Sequence, residues 1–223
     1  MLVRVLTLLA IFCVLAGSAK AGSESYCLRP VDPYPGDWHV RYTDELHKRI
    51  EPQIHTFAQM RVDPAFEGEY SVSIHGIPDN LRFWQATKCF VSYYAADKNI
   101  FSSMQENNEQ KQKREVTVAT ATVDIPLPLA KRIYTVWQKM LLKTRYAEDE
   151  FNAAPDPTTV EFSSESLYGE TYYPAPCKGA GLLIELGERL IDYCKAPPDK
   201  RAAVSKALEA QAAALETFLK HHS

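Results

Sequence analysis

The chain has 223 residues, of which 46% are hydrophobic, 24% charged and 11% aromatic. That balance belongs to a folded protein and excludes a disordered chain, a collagen-like repeat and a polytopic membrane protein. The 25 basic and 28 acidic residues leave a net charge of −3, so there is no basic field to collect nucleic acid, and nucleic acid is not expected as a partner.

Residues 1–21 have the pattern of a secretory signal. Arg4 supplies the positive start, residues 5–16 are an uncharged apolar run, and Ala19-Lys20-Ala21 places small residues before a cleavage site at Gly22. As a helix the apolar run spans roughly 18 Å, whereas a membrane core needs about twenty residues. No integral membrane segment is expected after cleavage, and the expected location is periplasmic or secreted. Residues 22–223 contain neither a Gly/Ser linker nor an internal repeat and read as one domain.

Pro30, Pro33 and Pro35 mark an extended lead-in. Thr43, followed by Asp44 and Glu45, suits a helix start, and Leu46, Ile50, Ile54 and Phe57 continue at helical spacing. Pro52 predicts a kink or a break near Glu51. Residues 69–75 alternate, with Tyr70, Val72 and Ile74 on one side and Ser71, Ser73 and His75 on the other, which predicts a half-buried strand. After turn chemistry at 76–80, residues 81–94 read as one long strand, 102–114 as a polar loop with a frayed helix as the alternative, and 115–125 as a third strand. The alternation of that strand slips near Ala119, as at a bulge or where both faces are buried.

Pro128 suits the first turn of a helix that carries Leu129, Ile133, Val136, Trp137, Met140 and Leu141 on one side. Residues 147–157 form an acidic, proline-containing loop. A short hairpin is predicted from 158–163 and 167–173, ended by Pro174 and Pro176. A helix over 179–193 and, beyond Pro197-Pro198, an Ala-rich helix close the chain. The fold class expected is α+β: a five-stranded, largely antiparallel sheet with four amphipathic helices packed mainly on one face.

With Cys13 removed by processing, four cysteines remain: Cys27, Cys89, Cys177 and Cys194. An even count in an exported chain predicts two disulfides. A helix over 179–193 is about 21 Å long, and Cys177 can fold back by only about 7 Å, so Cys177–Cys194 is disfavoured. Of the two remaining pairings, Cys27–Cys177 with Cys89–Cys194 is preferred, because it pins a helix to the sheet and the N-terminal lead-in to a loop.

The signatures of common catalytic sites are missing: no GxSxG, HExxH, P-loop, GxGxxG after a strand, or EF-hand loop. His47, Glu51 and His55 at i, i+4, i+8 would form one stripe of a helix and could hold zinc if Pro52 leaves the register intact. Glu165 and Glu170 flank the turn of the predicted hairpin, with Asp156 and Glu161 near; an acid/base pair could be chosen among them, but they read first as solvated loop acids. Tyr168, Glu170 and Tyr172 fall on one face of the predicted hairpin, and tyrosines beside a charge suit a recognition surface. The Arg132, Lys139 and Lys143 line on the middle helix reads as a solvated face.

These features lead to one expectation and two rivals. The expectation is an exported, non-catalytic binding protein that needs no cofactor. It would meet a protein partner through Tyr168, Glu170, Tyr172 and the loops at 102–114 and 146–176, as an inhibitor or immunity-type protein of the cell envelope does. The first rival is a metal-assisted hydrolase built on His47, Glu51 and His55. The second is a structural envelope component.

Overall fold

The computed structural model describes residues 26–31, 37–51, 54–77, 82–106, 115–145 and 158–222. The signal-like segment 1–21, Pro33, Pro35, Pro52, the turn at 78–80, loop residues 107–114 and the acidic loop at 146–157 lie outside the described residues.

Among the described residues six strands, β1 (Thr56–Asp63), β2 (Tyr70–Ile77), β3 (Lys88–Ala96), β4 (Val118–Ile125), β5 (Thr158–Ser164) and β6 (Leu167–Tyr173), pair antiparallel throughout, in the spatial order β4-β3-β2-β1-β5-β6. Among the described residues the α-helices are α1 (Asp37–Ile50), α2 (Ile100–Glu106), α3 (Leu127–Leu141), α4 (Lys178–Lys195) and α5 (Arg201–His221). The chain is therefore α+β, with one strand more than the five expected.

The additional strand is β1. The expected helix stops at Ile50, so Phe57 belongs to a strand rather than to the end of a helical stripe. A register shift between Thr56 and Ala58 puts Phe57 and Ala58 both in the core, after which Met60 and Val62 face the core and Gln59, Arg61 and Asp63 face the other side. Between β2 and β3 the expected long strand starts late. Phe83–Gln85 form a 3-10 turn, and the amides of Gln85 and Ala86 bond back to Arg82 and Phe83 before Lys88 enters the sheet. The β3–β4 register runs unbroken through Ala119, without the expected bulge. Residues expected in the polar loop start with α2, whose backbone is held by acceptors from Glu69 and Asn99.

The sheet has two unlike faces. One carries Met60, Val72, Ile74, Val91, Val160 and Phe162 and packs under α3 and α4, with α5 lying across those helices. Trp137 of α3 meets Phe162 edge-on at 5.6 Å, and each such large apolar side chain contributes about 1.5–3 kcal/mol on burial. Gly187 lets α4 approach β1, because the Met60 thioether occupies the space a Cβ would take. On the opposite face a smaller cluster of Leu46, Ile50, Ile100 and Val116 seats α1 and α2 against β3. The remainder of that face is polar: Ser71 donates to the Ile50 carbonyl, and His75 Nε2, Ser92 and Thr122 form a chain with 2.8 Å between successive atoms.

Among the described residues there is one disulfide, not the two expected. Cys27 and Cys177 are joined, with Cα atoms 6.0 Å apart, and the bond ties the N-terminal lead-in to the start of α4. Cys89 and Cys194 are free and buried. Cys194 on α4 sits over the Val91 and Ala121 carbonyls and donates to both. Both cysteines therefore remain thiols, and the expected Cys89–Cys194 bridge does not form. Burial pushes the Cys89 thiol up and the Cys194 thiol up to about 11, which keeps both protonated and unreactive at neutral pH.

Candidate functional site

The polar face holds a pocket of about 270 Å³ where the end of α1 overhangs β1, β5 and β6. Its floor follows from strand register. Gln59 pairs with Ser163 and Ser163 with Tyr168, while one pleat further on Arg61 pairs with Glu161. Side chains at paired positions share a face, so residues about a hundred positions apart converge. His47 in the last turn of α1 and Glu51 just past it, with Ile54 and His55 in the connection and Thr56 at the start of β1, form the wall. The mouth carries Glu165 and Tyr168, whose ring is 54% exposed.

Arg61 organises the charges. Its Nε donates to Asp63 Oδ2 at 3.2 Å, Nη1 to Glu51 Oε1 at 3.2 Å and Nη2 to Glu161 Oε2 at 2.6 Å. Glu51 also accepts from His47 Nδ1 at 2.5 Å. Burial acts to weaken the Arg61 charge, but Asp63, Glu161 and Glu51 outweigh it and hold the guanidinium protonated. Burial pushes Asp63 and Glu161 above the usual carboxylate range in spite of Arg61. Burial would also raise Glu51, but His47 and Arg61 outweigh it and hold that carboxyl low. The Glu51 hydrogen bond in turn raises the His47 imidazole.

Glu165 occupies the two-residue turn between β5 and β6 with φ 52°, a left-handed position that glycine or asparagine takes with less strain. Its carboxylate accepts from Tyr134 Oη at 2.8 Å, and Tyr134 Oη accepts from Gln138 Nε2 at 2.7 Å. Gln59 is only 7% exposed, and its amide Nε2 is buried with no hydrogen-bond partner among the described residues. A buried amide left unpaired costs about 1–3 kcal/mol, so this group on the pocket floor is an incomplete element of the site.

The sequence-derived candidates separate clearly. His47, Glu51 and His55, proposed for zinc, all line this pocket, yet they do not form a ligand set. The helix ends before Glu51, His47 is bonded to Glu51, and the His55 ring stands edge-on to Phe57 at 5.6 Å. Among the described residues no group of three or more His, Cys, Asp or Glu side chains is arranged to hold a metal ion. Of Tyr168, Glu170 and Tyr172, only Tyr168 reaches the pocket. Residues 26–31 run along the outer edge of β6, where Arg29 and Glu170 exchange main-chain bonds of 3.0 and 2.8 Å. The Arg29 guanidinium then pairs with the Glu170 carboxylate at 2.7 Å and covers the Tyr172 ring at 4.5 Å, so Glu170 is buried and Tyr172 half-buried.

Gln59, Arg61, Asp63 and Ser163 were not singled out from sequence. The signal that could have found them is the period-two alternation of Ala58, Met60 and Val62 against Gln59, Arg61 and Asp63, set opposite Glu161 and Ser163 on another alternating run. Comparison with protein-family models, with curated proteins and with solved structures finds no match to this chain. Among the described residues no helix is long and apolar enough to cross a membrane.

Proposed function

We propose that the protein is an exported, non-catalytic binding protein that recognises a protein partner of the cell envelope or medium through the pocket at the end of α1. The observation that carries this reading is the pairing of an exposed aromatic ring, Tyr168, at the mouth with the unpartnered amide of Gln59 at the floor. Exposed tyrosines beside preformed polar pockets are characteristic anchors of protein interfaces. The ion pairs of Arg61 and the neighbouring Glu165–Tyr134 bond hold the walls in place before any partner arrives, which lowers the ordering cost of binding. Export is supported by the signal pattern of residues 1–21 together with the Cys27–Cys177 disulfide. An inhibitor or immunity-type role is the form this takes: a stapled body presenting one fixed site to another exported protein.

The test is affinity capture from envelope and secreted fractions with wild type, Tyr168→Ala and Tyr173→Ala as baits. Tyr173 is 53% exposed but does not line the pocket, so it serves as the control. One partner held by wild type and by Tyr173→Ala, and released roughly thirtyfold more readily by Tyr168→Ala, is expected for a central aromatic anchor. A partner held equally by all three baits, or none at micromolar bait, contradicts the proposal.

A further inference from the structure

We propose that the group this pocket accepts is the cationic end of a basic side chain, a guanidinium or an ammonium presented by the partner. The inference rests on the binding reading above and concerns the chemistry of its ligand.

The charge inventory sets the sign. Glu51, Asp63, Glu161 and Glu165 lie in or directly behind the pocket, against the single guanidinium of Arg61 and the imidazole of His47. Four carboxyl groups therefore face two cationic groups. Both cationic groups are also directed inward: all three Arg61 nitrogens already bond carboxylates, and His47 Nδ1 is held by Glu51. An entering anion would meet surplus carboxylate charge in a half-enclosed space, where like charges repel strongly. An entering cation meets attraction.

The acids alone would not make a site; the second observation is Gln59. Its amide is more than nine-tenths buried, lines the floor and has no partner for Nε2. Its nitrogen only donates, whereas the Oε1 of the same carboxamide accepts, so it is the oxygen end of Gln59 that can take an incoming N–H. Ser163 beside it offers a further hydroxyl oxygen. At the mouth the exposed Tyr168 ring gives the stem of a long basic side chain an apolar surface and its charge a π face. A 270 Å³ pocket suits a side chain rather than a folded element.

The experiment is a titration of the intact, disulfide-bonded chain with N-acetyl-arginine amide, its neutral isostere N-acetyl-citrulline amide, and N-acetyl-glutamate amide. It is followed by NMR of the Gln59 side-chain amide and by calorimetry. The arginine probe is expected to shift the Gln59 resonance and to bind at least about tenfold more tightly than the citrulline probe, with affinity falling as salt is raised. Glu165→Gln, at an exposed turn, should weaken the arginine probe about fivefold while leaving the citrulline affinity within twofold, whereas Gln59→Leu should weaken both probes, since both offer an N–H. Equal or tighter binding of the citrulline or glutamate probe, or no shift at Gln59 with any probe, overturns the cation assignment. Capture that still depends on Tyr168 would then leave the binding reading standing, whereas loss of that dependence removes the reading itself.

Discussion

Two buried acid sites on this sheet behave in opposite ways. Glu69, at the entrance to β2, is fully buried, and every contact it makes is satisfied from within the chain. Tyr42 Oη donates to it at 2.9 Å, and the amides of Ile100 and Phe101 at the start of α2 donate at 2.7 and 3.3 Å. It caps a helix and joins α1, α2 and the sheet. The Arg61 site, one strand away, gathers more carboxylates than cations and leaves the Gln59 amide unpaired. A closed polar cluster is architecture, whereas one with surplus charge and an open bonding position is built to be completed from outside.

The largest effect should come from Arg61→Met. It leaves Glu51, Asp63 and Glu161 without their shared counter-ion, and loss of one partner of a buried ion pair costs about 3–5 kcal/mol. Urea denaturation measures this, and a loss under about 1 kcal/mol would mean the carboxylates are solvated and the two sites less unlike than described.

Removing the staple with Cys27→Ser and Cys177→Ser should cost about 2–4 kcal/mol. Alkylation of the unfolded, unreduced protein should label two thiols, Cys89 and Cys194. Four labelled thiols would remove the disulfide, and none would restore the second bridge.

Glu69→Ala should destabilise by about 1–3 kcal/mol through the unpaired Ile100 amide and Tyr42 hydroxyl, with no change in binding of the arginine probe. A change in probe affinity would show that the two acid sites are coupled.

The smallest effect concerns pH. The Glu51 hydrogen bond holds the His47 pKa above the ordinary 6.5, so the stability it brings is complete below that value and is lost as pH rises through the raised one. Glu51 is held below its ordinary 4.5, so its contribution is lost only as pH falls through that lowered value. Burial raises Glu161 and Asp63, so both take up protons at higher pH than ordinary carboxylates do. Each proton gained on acidification removes negative charge or adds positive charge in the pocket, so cation affinity should fall as pH is lowered. Tighter binding at the acid end would reverse the sign of the pocket.

Much of the fold is readable from local pattern. The helices carrying Leu129, Trp137 and Met140, or Leu183, Leu186 and Leu190, announce themselves by a stripe that the core then buries. β1 escapes because the Thr56/Ala58 irregularity lets Phe57 continue a helical spacing that began at Leu46, across a proline. Of the pocket, sequence reaches the pieces but not their union. His47, Glu51 and His55 stand out by spacing and Tyr168 by composition, yet only the pairing of β1 with β5 brings them together with Arg61 and Glu161. A charged residue on the outer face of a strand reads as solvated until its cross-strand neighbour is known. Glu170 is misleading for the same reason, since the strip of chain at Arg29 that buries it is distant in sequence.

The most direct measurement is site-specific photo-crosslinking in cells that make the protein, with a photoreactive phenylalanine at Tyr168 or at Leu142. Leu142 is exposed on a separate groove between α3 and α5. A discrete crosslinked partner from position 168 and none from position 142 is the predicted result. Crosslinks from position 142 alone, or the same products from both positions, would contradict the assignment of recognition to the pocket at the end of α1.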